Sequence, residues 1–173
     1  MSQEIKPLSR SEREAKIKDK AGFVIVFLAA ILAINTMLGG SNSSKIMNNT
    51  IAANNQWAWY QAKNVRQVLY ETAATQATKP EVKEKFEREA TRMEADKKEI
   101  MEKAKALEAE REVARQKSPW FTWGGSILQI GIVLLTASIL AVSMPMFWVS
   151  LVVGAVGSLM VSHAIWMWVP FLV

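Results

Sequence analysis

The sequence predicts an all-α integral membrane protein with three transmembrane helices and a long membrane-extrinsic antiparallel helical hairpin. Three observations predict it. The 173-residue chain carries 21 Lys/Arg and 16 Asp/Glu, yet the stretch from Ser118 to Val173 holds none of them. A second apolar run, Ala21 to Leu38, stands between two charged blocks. Between these apolar regions Phe86, Met93, Ile100, Leu107 and Ala114 recur every seven residues, a helical period. A soluble domain needs polar side chains to cover its surface, and the C-terminal third has almost nothing to offer.

The elements follow in chain order. Residues 1–20 form a basic N-terminal segment with six Lys/Arg and four Asp/Glu. Residues 21–38 form the first span, interrupted only by Asn35 and Thr36. As a helix this run is ~27 Å long at ~1.5 Å per residue, close to the ~30 Å hydrocarbon core. A cleaved signal peptide is the competing reading; the run exceeds the usual ~7 to 15 apolar residues, and no A-x-A site follows.

Residues 39–119 are expected to form the hairpin, with arms at about 45–76 and 79–117. Gly39, Gly40, Ser41, Asn42, Ser43 and Ser44 make a joint with the first span. The first arm places Ile51, Ala58, Ala62, Val65 and Leu69 on one face, which is expected to meet the second arm. Thr78, Lys79, Pro80 and Glu81 read as a capping box that starts the second arm. Its seam adds Ala90 and Ala104 and also carries Lys97 and Arg111 at core-type positions, so a pairing with one wet side is expected. The short link between long helices implies an antiparallel pair.

Ser118 and Pro119 read as the joint to the second span, residues 120–142, and Ser143 to Met146 as the turn into the third, residues 146–173. Trp120, Phe121 and Trp123 head the second span, just before its apolar run from Gly124, and Trp166 and Trp168 lie near the end of the third, reading as two aromatic girdles. Small residues recur along both: Ser150, Gly154, Ser158 and Ser162 four apart, and Gly124, Gly131 and Ser138 seven apart. In lipid such residues allow close backbone approach, so one stripe is expected to join the two spans and the other a second subunit.

The most distinctive stretch runs from Asn55 through Gln56, Trp57, Ala58, Trp59, Tyr60, Gln61, Ala62, Lys63, Asn64 and Val65 to Arg66, followed by Leu69 and Tyr70. It resembles an uncharacterised bacterial membrane-protein family, a domain-of-unknown-function family, whose members carry a D-x-W-x-Y-Y-Q-A-K-x-x-K/R block after an N-terminal hydrophobic helix. Asn55 stands where that family usually has Asp, and Trp59 where it often has Tyr. The resemblance implies the architecture and carries no activity. Physically, Trp57, Tyr60, Gln61 and Asn64 share helical spacing, as do Trp59, Lys63, Arg66 and Tyr70. Lys63 over Trp59 and Arg66 over Tyr70 are the expected cation–aromatic pairs. Three roles compete for the block: gluing arms or subunits together, resting in the lipid headgroup region, or binding a ligand.

Candidates for chemistry are few. With no cysteine there is no disulfide, thiol chemistry or thiolate metal site. His163, the single histidine, lies on the third span without a nearby carboxylate in sequence and is expected to be neutral and hydrogen-bonded. The net charge of +5 is spread over two mixed-sign blocks, so nucleic acid is not expected as a partner. Glu94 with Lys98 and Glu99 with Lys103 have the spacing of ion pairs on a solvated helix face. No phosphate loop, H-E-x-x-H or nucleophile elbow occurs, so neither enzymatic activity nor a cofactor or metal site is expected.

The expected partners are the lipid bilayer and either further copies of the chain or a larger membrane complex. The chain is then a structural or accessory subunit. The alternative is an oligomeric pore or transporter component lined by Asn35, Thr36, Gln129, Thr136 and the serines of the third span. The expected location is the bacterial inner membrane. Charge near the first span argues for a cytoplasmic N-terminus and an extracytoplasmic hairpin, against an opposing signal from Lys103, Lys105, Arg111, Arg115 and Lys117 before the second span.

Overall fold

The computed structural model describes residues 10–168; the first part of the basic N-terminal segment and the last part of the expected third span lie outside the described residues. Three helices account for nearly all of it: α1 is Arg10–Gln76, α2 is Pro80–Leu140 and α3 is Met144–Trp166. Each contains a window long and apolar enough to cross a membrane. The chain divides into two units, one formed by the residues up to Asn42 with those from Gln116, the other by Ser43–Arg115.

Both joints expected from the sequence are helical. Gly39 to Ser44 lie inside α1, and Ser118 and Pro119 lie inside α2. Gly costs about 1 kcal/mol in a helix relative to Ala, and interior Pro about 3. Gly39 has a packing reason to be there, since a Cβ at this position would sit 3.3 Å from Cβ of Phe121. The start of α2 also differs from the expected capping box. The carbonyl of Lys79, not Thr78, accepts the first bonds, from the amides of Val82 and Lys83, both at 3.1 Å. Pro80 then takes the first helical position, where its missing N–H leaves nothing unsatisfied.

In the first unit, α1, α2 and α3 enclose a core of Ala21, Leu28, Leu128, Leu135, Phe147 and Val161. Ile17 and Ala164 are also buried. Most of the apolar surface nevertheless faces outward, for only 17% of the apolar window of α1, 33% of that of α2 and 28% of that of α3 is buried within the chain. The turn between α2 and α3 places Val142 at φ 49°, a left-handed conformation that a β-branched side chain rarely adopts.

In the second unit the contacts between α1 and α2 run in opposite order. Trp57 meets Glu108, Lys63 meets Asp96 and Tyr70 meets Phe86. The face of α2 is the one its heptads describe, with Ala90, Met93, Ala104 and Ala114 buried and Phe86, Ile100 and Leu107 half-buried. The face of α1 is not. Ile51, Val65 and Leu69 are 53%, 67% and 63% exposed, and Ala58 and Ala62 are exposed with them. The residues that meet α2 lie on the opposite side of α1: Asn49, Ala53, Gln56, Tyr60, Lys63, Gln67, Tyr70 and Ala74 are buried or half-buried.

Candidate functional site

The conspicuous block on α1 becomes a polar ladder against α2. Trp57 Nε1 donates to Glu108 Oε1 at 3.0 Å, and Asn49 Nδ2 to Glu110 Oε2 at 3.4 Å. Lys97 Nζ donates to Asn64 Oδ1 at 2.7 Å and lies 5.5 Å from the centre of the Tyr60 ring. Lys63 donates to the carboxylate of Asp96, and Lys45 lies 3.4 Å from Glu110. Tyr70 stacks on Phe86 with ring centres 6.1 Å apart, and Trp57 sets its edge against Tyr60 at 5.6 Å.

Lysine at a seam position of α2 explains the choice of face. Lys97 cannot be covered by alkyl groups without losing hydration, whereas Asn64 and the Tyr60 ring restore a polar partner. Asp96 makes the same demand and Lys63 answers it. The hydrogen bond from Lys63 holds the Asp96 carboxyl below the usual carboxylate range, against a smaller opposing effect of burial, with the charges of Lys63 and Arg92 acting in the same direction as the bond.

The expected cation–aromatic pairs are therefore replaced: Lys63 binds Asp96, and Tyr70 stacks on Phe86 instead of receiving Arg66. Trp59 is 62% exposed, and Gln61 and Arg66 are exposed as well. Sequence reasoning did not single out Asn49, Asp96, Glu108 or Glu110. The available signal was the seven-residue recurrence of Asn49, Gln56, Lys63 and Tyr70 opposite the apolar face. On the outer face of α2, Glu94 pairs with Lys98 and Glu99 with Lys103, exposed pairs of at most about 1 kcal/mol each.

The small residues of α2 and α3 are consumed inside the first unit. A Cβ at Gly124 would meet Val161 Cγ2 at 2.9 Å, and one at Gly131 would meet the backbone N of Gly154 at 3.1 Å. A Cβ at Gly154 would lie 2.6 Å from Leu28 Cδ1. Ser138 and Ser150 are fully buried and donate to the carbonyls of Leu135 and Phe147. Ser158 donates to Gly154 O at 2.8 Å, and Ser162 is half-buried. Gly154 and Ser150 are thus enclosed by their own chain, which leaves them no surface for a second subunit.

Of the residues assigned to a pore lining, Asn35 is buried and donates through Nδ2 to Phe121 O at 3.0 Å. Thr36 and Thr136 turn their hydroxyls back to Leu32 O and Ile132 O. His163 is 3% exposed, and among the described residues neither ring nitrogen has a hydrogen-bond partner, contrary to expectation. Its ring instead stands nearly perpendicular to those of Trp120, centroids 4.4 Å apart, and Trp168, 5.8 Å apart. Trp120 of α2 and Trp168, just beyond α3, thus approach the same imidazole, while Trp123 and Trp166 are exposed. Lys117 adds a bond from Nζ to Ile165 O at 3.1 Å, a cation at the C-terminal end of α3.

No curated protein matches the chain. No solved structure matches it either. A family model does match, over residues 17–167, which takes in most of all three helices and both units. The chain belongs to the family described as a domain of unknown function, DUF4337.

Proposed function

We propose that this protein is a non-enzymatic structural or accessory subunit of a bacterial inner membrane, anchored by three transmembrane helices and presenting a membrane-extrinsic helical hairpin to further copies or to a larger membrane complex. The observation that carries the reading is the contrast between the units. In the first, the apolar windows of the three helices keep most of their residues outward, a surface that lipid solvates and water does not. In the second, α1 and α2 are joined by a ladder of charged and amide groups suited to water. A cytoplasmic N-terminus and an extracytoplasmic hairpin complete the proposed topology, since six Lys/Arg precede the first span and the orientation rule weakens for loops longer than ~60 residues.

Purification in lipid nanodiscs followed by native mass measurement tests the reading. More than one copy per particle, or a co-purifying membrane complex, is expected; a lone 19.3 kDa chain in the disc, with no complex pulled down from cross-linked membranes, counts against it.

A further inference from the structure

The face of α1 turned away from α2 in the second unit carries exposed apolar residues. Met47, Ile51, Ala58, Ala62, Val65 and Leu69 are spaced three, four and seven residues apart, so they form one stripe diametrically opposite the face that meets α2. From Ile51 to Leu69 the stripe is ~27 Å long at ~1.5 Å per residue. Its large side chains are open, with Met47 at 65% and Val65 at 67% exposure. None of the four charges of this arm lies on it. Lys45 and Lys63 reach toward Glu110 and Asp96 of α2, Glu71 lies on the far side of the helical wheel, and Arg66, four residues from Ala62 and three from Leu69, borders the stripe.

We propose that this stripe is the contact between two copies of the chain, α1 against α1, in parallel and in register. Three features favour a second copy as the occupant. First, the α1–α2 pair is too thin to be a finished core: its buried apolar residues among those described are Ala53, Ala74, Ala90, Met93, Ala104 and Ala114, while Ile51, Val65 and Leu69 stay outside. Alanine contributes little burial energy, so the larger side chains are where association has most to gain. Second, in a parallel twofold contact each residue meets its own counterpart, and a stripe without charge does so with no like-charge repulsion. The outer face of α2, dense in Lys and Glu, has no such property. Third, Ala58 and Ala62 at the middle allow two helices to approach while Ile51, Val65 and Leu69 interdigitate above and below them. Copies inserted in one orientation begin their arms at the same membrane face, which makes the pairing parallel. The inference rests on the proposed self-associating membrane subunit and names its contact.

The chain has no cysteine, so single cysteines introduced at Ala58 and Val65 in the full-length protein report the contact directly. Oxidation in native membranes should give disulfide dimers at both positions at least ten-fold more efficiently than at Asn64, which faces α2. In nanodiscs Val65→Glu should halve the mass per particle to 19.3 kDa. Helical content by circular dichroism shows whether that variant folds, and the cysteine pattern decides if it does not. Strong cross-linking at Ala58 and Val65 supports the stripe. A multimeric wild type that cross-links at neither position, and keeps its mass with Val65→Glu, overturns the stripe alone. A monomeric wild type overturns both this inference and self-association.

Discussion

The side-chain amide of Asn35 donates to the main-chain carbonyl of Phe121 at 3.0 Å, tying α1 to α2 inside the first unit. Gly125 makes room for it, since a Cβ there would fall 2.6 Å from Asn35 Nδ2. Asn35→Ala should therefore lower stability in mild detergent by about 0.6 to 2 kcal/mol, the range of interhelical hydrogen bonds in membranes. Gly125→Ala should cost a similar amount by displacing the same amide. The double variant should lose less than the sum, because the added methyl then meets a vacated space. Strict additivity in detergent titrations would separate the two residues.

Gly131 and Gly154 differ in what a methyl group would strike. At Gly131 the neighbours are backbone atoms of Gly154, at 3.1 and 3.2 Å, so Gly131→Ala must shift α3 and should cost about 1 to 3 kcal/mol. At Gly154 the obstacle is the end of the Leu28 side chain. Leu28→Ala, itself costly at about 2 to 5 kcal/mol, should reduce the further cost of Gly154→Ala but leave that of Gly131→Ala unchanged. Thermal unfolding of the three single and two double variants in one detergent checks the difference.

The Lys63–Asp96 pair sets a pH dependence for the second unit. A carboxyl held below its ordinary range stabilises the folded state fully above the unfolded value, about 3.9, and this stabilisation is lost as pH falls through the lower folded value. Melting followed by circular dichroism between pH 7 and 2.5 should show a drop that Asp96→Asn makes shallower. An identical pH profile in the variant would remove Asp96 from the acid response.

His163 is buried with both ring nitrogens unpartnered among the described residues, its ring in T-shaped contact with Trp120 and Trp168. Burying an imidazole without hydrogen bonds carries a desolvation cost of about 1 to 3 kcal/mol that an apolar ring avoids. His163→Phe should match or exceed the wild-type melting temperature. A clear loss of stability would reveal a hydrogen bond or ligand at the imidazole.

Tyr70 and Phe86 are stacked near the α1–α2 link. Phe86 is half-buried, so Phe86→Ala should cost about 1 to 2 kcal/mol, less than the ~3 to 5 of a fully enclosed aromatic. Hydrogen exchange should quicken first at residues 66–76 and 80–93, while the first unit keeps its protection. Uniform quickening across both units would show that they unfold together.

The sequence by itself determined the helical class, the three apolar windows and the apolar seam of α2, because each is written in local periodicity and in the distribution of charge. Phe86, Met93 and Ala104 face α1 as their heptad requires. The tertiary structure decided the face of α1. That helix carries two seven-residue series on opposite sides, one containing Ile51, Ala58 and Val65 and the other Asn49, Gln56, Lys63 and Tyr70, and hydrophobicity alone favours the first. The charged groups at the edge of the α2 seam reverse the preference: Asp96, Lys97 and Glu108 need polar partners, and only the second series supplies Lys63 and, from its flanks, Asn64 and Trp57. The continuity of α1 through Gly39 and Gly40 was likewise hidden, since glycine reads as a joint unless its neighbour is known, and the neighbour is Phe121, distant in sequence and 3.3 Å from where the Gly39 Cβ would stand.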